Sequence, residues 1–191
     1  MSKRPTVLVD MDGVLADFDG ATSQYLTEKH PEIPIITERQ HFYFRDDYPD
    51  AGHQAIINQL HASQYFFAGL QPIDGALEGW QRLQELGYEP IICSAPLSSN
   101  EWCVEEKLDW VERYLGRAAA KAAVFDSAKE RYAGIALIDD RPVVKNTNLA
   151  SWQHVLFTAS YNLEVAATHR LNGWNDENLA EILATIDLQA R

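Results

Sequence analysis

The sequence predicts an α/β fold: a mainly parallel sheet flanked by helices, with a small helical cap inserted after the first strand. Three observations predict it. Short apolar runs recur along the chain and are continuous rather than alternating, as strands are when both faces of a sheet are covered. Helical patterns lie between those runs, and strands alternating with helices build a parallel sheet. The interval between the first run and the second is longer than one crossover requires.

The first strand is "TVLV" at 6–9, which runs straight into "DMDGVLADF" and so aims Asp10 and Asp12 out of a core strand. Residues 17–71 follow, with helical patterns near 17–30 and 51–62 and an aromatic cluster "HFYF" at 41–44. They read as the cap, the alternative being a plain extra helical layer; the core is then 1–16 with 72–191. "GALEGWQRLQELG" puts Ala76, Trp80 and Leu83 on one stripe and stops at Gly87. "PIIC" at 90–93 is the second strand. The next helix repeats Val104, Leu108, Val111 and Leu115 and ends at Gly116, with Ser98 and Glu101 spaced as a capping box upstream. Strands follow at 122–125 ("AAVF"), 135–138 ("IALI") and 154–157 ("HVLF"), and a last helix carries Leu179, Ile182, Leu183 and Ile186.

Bulk properties narrow the function. With 191 residues, 46% of them apolar, the chain is one ordinary domain with a real core. Its 16 basic and 28 acidic residues leave a formal charge of −12, which argues against a nucleic-acid polymer or an anionic membrane as partner. A small anionic substrate remains compatible, because a lysine and a metal ion reverse the field locally. The only two cysteines, Cys93 and Cys103, read as buried or incidental thiols. The N-terminal apolar run is too short for a signal peptide and no run reaches membrane length, so a reducing cytoplasm is the expectation. Oligomeric state is left open, a homodimer included.

Four predicted strand ends carry chemistry. Asp10 and Asp12 follow the first, with Gly13 allowing a sharp turn. Ser94 ends the second. Lys129 stands in the "DSAKER" loop after the third, and Asp139 and Asp140 follow the fourth. In open α/β sheets the reactive crevice lies beyond the carboxyl ends of the strands. Clustered carboxylates need a cation to stay ionised, and oxygen ligands without His or Cys select a hard ion such as Mg²⁺. With Lys129 and the metal neutralising a phosphate dianion, a carboxylate attacks phosphorus and a second one moves the proton.

These motifs resemble the haloacid dehalogenase (HAD) superfamily of phosphotransferases: "DMDGV", "ICSAP", Lys129 and "LIDDRP" occur in the same order. More closely, "VLVDMDGVLADF", "PIDGALEG", "EEKLDWVERYLG" and "LIDDRP" are similar to the 5′(3′)-deoxyribonucleotidases. The resemblance implies a HAD-like Rossmannoid core and a Mg²⁺-dependent phosphatase of deoxyribonucleoside monophosphates. Asp10 would be the nucleophile and Asp12 the general acid and base. Metal would be held by the Asp10 side chain, the Asp12 carbonyl and the 139–140 motif, with Asp140 preferred as direct ligand and Asp139 behind it. Ser94 and Lys129 would bind phosphate. Ala95 stands where the family usually has a second hydroxyl.

Other residues carry alternatives. Lys107 fits the family's "EK" position and reads equally as a phosphate neighbour or a solvated helix lysine. Phe18 either flanks a base or sugar or seals the cap; Tyr43, with Phe42, Phe44 and Tyr65 to Phe67, supplies aromatic surface for a nucleoside. The six histidines show no metal-ligand spacing. The rival readings are a phosphatase for another small phosphomonoester, such as a sugar phosphate, and a non-catalytic receiver-like signalling domain.

Overall fold

Strand β1 (Thr6–Val9) lies inside a six-stranded, all-parallel sheet of order β3-β2-β1-β4-β5-β6. The other strands are β2 (Glu89–Ser94), β3 (Val124–Phe125), β4 (Ala136–Asp139), β5 (Gln153–Phe157) and β6 (His169–Leu171). The computed structural model describes residues 4–190; the start of the chain at 1–3 and the final residue of the expected core lie outside the described residues. Both sheet faces are covered, which explains the continuous apolar runs. On β1, Val7 and Val9 enter the main core, whereas Leu8 points to a second cluster with Cys93, Leu137 and Trp152.

The helices are α1 (Phe18–Lys29), α2 (Ala51–His61), α3 (Phe66–Gly69), α4 (Ala76–Glu85), α5 (Cys103–Leu115), α6 (Arg117–Ala122) and α7 (Leu179–Ala190). On α4 the predicted stripe of Ala76, Trp80 and Leu83 is buried. Gly79 on the same helix sits so close to the Trp174 indole that a side chain there would collide with it. On α7, Leu179, Leu183 and Ile186 are buried. No helix among the described residues is long and apolar enough to cross a membrane.

Three details depart from expectation. The strand expected over 122–125 is only Val124–Phe125, because Ala122 completes α6, a helix the sequence reading did not contain; nor did it contain β6. Ser98 and Glu101 form no capping box: α5 starts later, and it is Asn100 whose Oδ1 accepts from the Trp102 amide at 2.9 Å. The inward face of α5 is also rotated. Val104 is 40% exposed, while Cys103, Glu106, Lys107, Trp110 and Val111 are buried.

Residues 17–71 carry α1, α2, α3 and a short 3₁₀ turn at Phe44–Asp47. Leu26, Ile33, Phe44, Tyr48 and Ile57 form a hydrophobic cluster of their own, and Phe18 packs against both this cluster and the main core. The segment returns through α3, where the buried carboxylate of Glu106 accepts from the amides of Tyr65, Phe67 and Ala68.

Candidate active site

The order of strands places the site. β1 pairs with β2 on one side and β4 on the other; the chain steps outward from β1 through β2 to β3 and then crosses back to β4, and a crevice opens where the order reverses. Register sets Val9 beside Ile138, and the Asp10 amide donates to the Ile138 carbonyl at 2.9 Å. The chain then turns tightly: the Met11 carbonyl accepts from the amides of Leu15 and Ala16, both at 2.8 Å. Gly13 has φ +74°, and a Cβ there would stand 2.5 Å from Asp140 Oδ2, so both backbone and space demand glycine.

Around this turn three carboxylates and an ammonium meet. Asp10 Oδ1 accepts from the Met11 amide at 2.8 Å, and its Oδ2 lies 3.1 Å from Lys129 Nζ. Lys129, buried, also donates to Asp139 Oδ2 at 2.6 Å. Oxygens of Asp10, Asp139 and Asp140 fall within 4.8 Å of one another. Burial alone would raise the Asp10 carboxyl, but Lys129, Lys107 and hydrogen bonds from Ser94 and Met11 outweigh it and hold it below the usual range. Burial opposes the Lys129 charge, yet Asp10 and Asp139 raise its pKa overall. Asp140 goes the other way: burial, then Asp139 and Asp10, push it well above the carboxylate norm.

This geometry fits a hard cation. Both Asp139 oxygens are already engaged, one by Lys129 and one by the Arg141 amide at 2.8 Å. Asp140 has one oxygen engaged by the Tyr161 hydroxyl, while its buried Oδ1 has no partner among the described residues. An oxygen-only cluster with an orphaned carboxylate oxygen suits Mg²⁺-type coordination, and it favours Asp140 over Asp139 as the open ligand. The Asp12 side chain stands outside the three-carboxylate group.

Asp12 is engaged instead by Lys107. Lys107 is fully buried, not a solvated helix lysine; its Nζ donates to Asp12 Oδ2 at 2.7 Å, Ser94 Oγ at 2.9 Å and the Ala95 carbonyl at 3.2 Å. One ammonium thus ties the second carboxylate to the hydroxyl of β2, and the position lacking a hydroxyl contributes its carbonyl. Burial raises the Asp12 carboxyl; Lys107 opposes that and Asp10 reinforces it, and the net shift is upward.

A cavity of about 540 Å³ opens over this floor. Its lining includes Asp12, Asp140, Arg141 and Ala95 together with the rings of Phe18, Phe42, Tyr43 and Phe44. Phe18 borders the cavity, and its ring packs 4.5 Å from His61 and 5.2 Å from Phe66. Tyr43 is 57% exposed at the cavity wall. Tyr65 is 71% exposed away from this lining, and Phe66 is buried in the core, so of that trio only Phe67 borders the cavity. His61 is buried against Thr22 Oγ1 at 3.0 Å, and desolvation drives its pKa down to about 3, so it stays neutral. Cys93 is a buried thiol, with desolvation pushing its pKa up to about 12.

Sequence reasoning did not single out Arg39, Arg141 or Tyr161 among the cavity residues. Arg39 is 3% exposed, bound to Asp19 and Asp47 and stacked on Phe44 and Tyr161. Arg141 lies 4.6 Å over the Phe42 ring. Tyr161 reaches Asp140 from the turn after β5. Only Arg141 had a signal, its place in "DDRP".

Residues 4–186 match the family model of the 5′ nucleotidase, deoxy (Pyrimidine), cytosolic type C protein. The chain belongs to this family. A Bordetella pertussis relative is 37% identical over 176 residues, covering 91% of this chain and 94% of its own. The human cytosolic-type 5′(3′)-deoxyribonucleotidase is 34% identical over 194 residues, covering 96% of this chain and 95% of its own. The human mitochondrial form is 35% identical over 182 residues, covering 90% and 79%. Among solved structures, YfnB from Bacillus subtilis, determined with magnesium bound, superposes with a TM-score of 0.57 at 15% identity, covering 97% of this chain and all of that one. The L-2-haloacid dehalogenase PA0810 superposes at 0.52 and 12%, covering 96% of this chain and 100% of its own. These likenesses show the HAD fold. As a member of the 5′-nucleotidase family the chain is a phosphoric monoester hydrolase, and the receiver-like alternative falls.

Proposed function

We propose that this nucleotidase hydrolyses deoxyribonucleoside 5′(3′)-monophosphates through an aspartyl-phosphate on Asp10, with Mg²⁺ as its cation. The observation that carries the reading is the pairing of unlike carboxylates. Asp10 is held ionised by Lys129, whereas Asp12, which faces the cavity, is shifted toward its protonated form. Two acids pushed in opposite directions supply a nucleophile and a proton donor.

In the first step an Asp10 oxygen bonds to phosphorus and the bond to the nucleoside oxygen breaks, with Asp12 giving its proton to that oxygen. In the second, Asp12 takes a proton from water, whose oxygen attacks phosphorus; the bond to Asp10 breaks and inorganic phosphate leaves. Lys129 and Ser94 would hold the phosphate oxygens, and Lys107 holds Asp12 toward them. The side chains of Asp10 and Asp140 and the Asp12 carbonyl would hold the cation, with Asp139 steadying Lys129 beside them. Once bound, the cation supplies charge neutralisation at the phosphoryl oxygens.

Residues 17–71 act in this proposal as a cap over a core of 1–16 and 72–191. Phe18 and Tyr43 would border the nucleoside, whose flat faces suit aromatic walls better than a sugar phosphate does. A cytoplasmic location accompanies the reading, since one human relative is named as the cytosolic type. A phosphate-release screen over deoxyribonucleotides, ribonucleotides and sugar phosphates, with and without chelator, tests it. Preference for dUMP and dTMP and loss of turnover in chelator are expected. Equal turnover of sugar phosphates would overturn the substrate class, and full activity in chelator the cation.

A further inference from the structure

Asp140 owes its orientation to a side chain outside the strand-end motifs. Tyr161 donates its hydroxyl to Asp140 Oδ2, and the neighbouring Asn162 donates to the Asp140 carbonyl at 2.8 Å. With Oδ2 engaged and the main chain pinned, Oδ1 is left without a partner among the described residues, on a carboxylate that clusters with those of Asp10 and Asp139. Tyr161 is itself clamped by the 39–44 segment. The Arg39 guanidinium lies 4.5 Å over its ring, and Phe42 meets it edge-on at 5.8 Å. Arg39 is anchored in turn by Asp19, by Asp47 and by the carbonyls of His41 and Phe42. An unbroken line of contacts therefore joins a loop distant in sequence to one carboxylate oxygen.

We propose that Tyr161 is a positioning residue for the cation: its hydroxyl aims Asp140 Oδ1 at the metal, and packing of the 39–44 loop holds it there. The inference rests on the Mg²⁺ reading above and adds to it that metal affinity depends on the loop. Outer partners that orient a metal-binding side chain typically contribute about 10–100-fold to affinity. Linkage makes the effect reciprocal, so a bound cation favours the packed loop by the same factor.

The test is the dissociation constant for Mn²⁺, by calorimetry and by electron paramagnetic resonance of the bound ion, on the full chain. Wild type, Asp140→Asn, Tyr161→Phe and Phe42→Leu are compared, each checked by thermal melting. Tyr161→Phe keeps the ring beneath Arg39 and beside Phe42 and removes only the hydroxyl. It is expected to weaken Mn²⁺ binding roughly tenfold or more and to alter the spectrum of the bound ion, with Phe42→Leu weakening it less. Binding within about threefold of wild type in both variants, while Asp140→Asn is weakened, would overturn the positioning role and leave the metal reading standing. No binding by wild type, or unchanged binding by Asp140→Asn, would overturn the metal reading and this inference with it. If Tyr161→Phe does not fold, Phe42→Leu decides by the same threefold criterion.

Discussion

Asp10 and Asp12 are two residues apart yet sit in opposite electrostatic settings, and Asp10→Asn separates the roles. The amide keeps the shape and the Met11 contact but removes the nucleophilic charge, so turnover should fall to background while the chain still folds, its thermal melt no higher than wild type because the favourable pairing with Lys129 is lost. A colorimetric phosphate assay checks it; appreciable residual activity would remove Asp10 from the chemistry. Lys129 and Lys107 divide the positive charge. Lys129→Ala should cost several kcal/mol of transition-state stabilisation, read as kcat/KM, since it neutralises Asp10 where the phosphate must arrive. A loss under about tenfold would place Lys129 outside the site. Asp10, Ser94 and Lys129 were readable as single residues because each falls at or just beyond the end of an apolar run. Lys107 was not: its partner Asp12 lies 95 residues earlier, and a lysine among helix charges looks solvated until that partner is brought in.

At the level of elements, α5 explains why periodicity misled. Of its apolar repeat, Val111 is buried and Leu108 and Leu115 pack against the main core, but Val104 faces out and two adjacent charged residues share the inward face. Glu106 is satisfied there by the amides of α3, and Lys107 by Asp12 and Ser94. Buried charges are tolerated only with such partners, and hydropathy does not encode partners from other elements. One helix thus anchors both the return of the 17–71 segment and the second carboxylate. The aromatic wall supports a prediction of its own. Tyr43→Ala removes an exposed ring, so it should raise KM for nucleotides, leave the melting temperature unchanged and barely affect p-nitrophenyl phosphate. Phe18→Ala opens a gap between two hydrophobic clusters and should do both, raising KM and lowering stability by about 1–3 kcal/mol. Equal losses on nucleotide and p-nitrophenyl phosphate would mean that these rings only pack the fold.

For the whole molecule, the crowded carboxylates make stability depend on pH and metal together. Asp140 is raised in the folded state relative to 3.8, so its contribution is fully present below pH 3.8 and is lost as pH rises through the folded value. A cation that replaces the proton restores that loss, and protons compete with it at lower pH. Magnesium should therefore raise the melting temperature more near about pH 8 than near about pH 5, measured by scanning fluorimetry; an equal rise at both would dissociate the cation from Asp140. Five of the six strands, the inward stripes of α4 and α7, and the strand ends that bear Asp10, Ser94 and Asp139 are legible in the chain alone, because burial on both sheet faces writes itself into short apolar runs. What those ends meet is set by the folded arrangement. It put Lys107 inside, left Asp140 Oδ1 bare and set Tyr161 between that carboxylate and Arg39. Each of these depends on pairing buried polar groups across elements far apart in the chain, and such pairing leaves no local period to read.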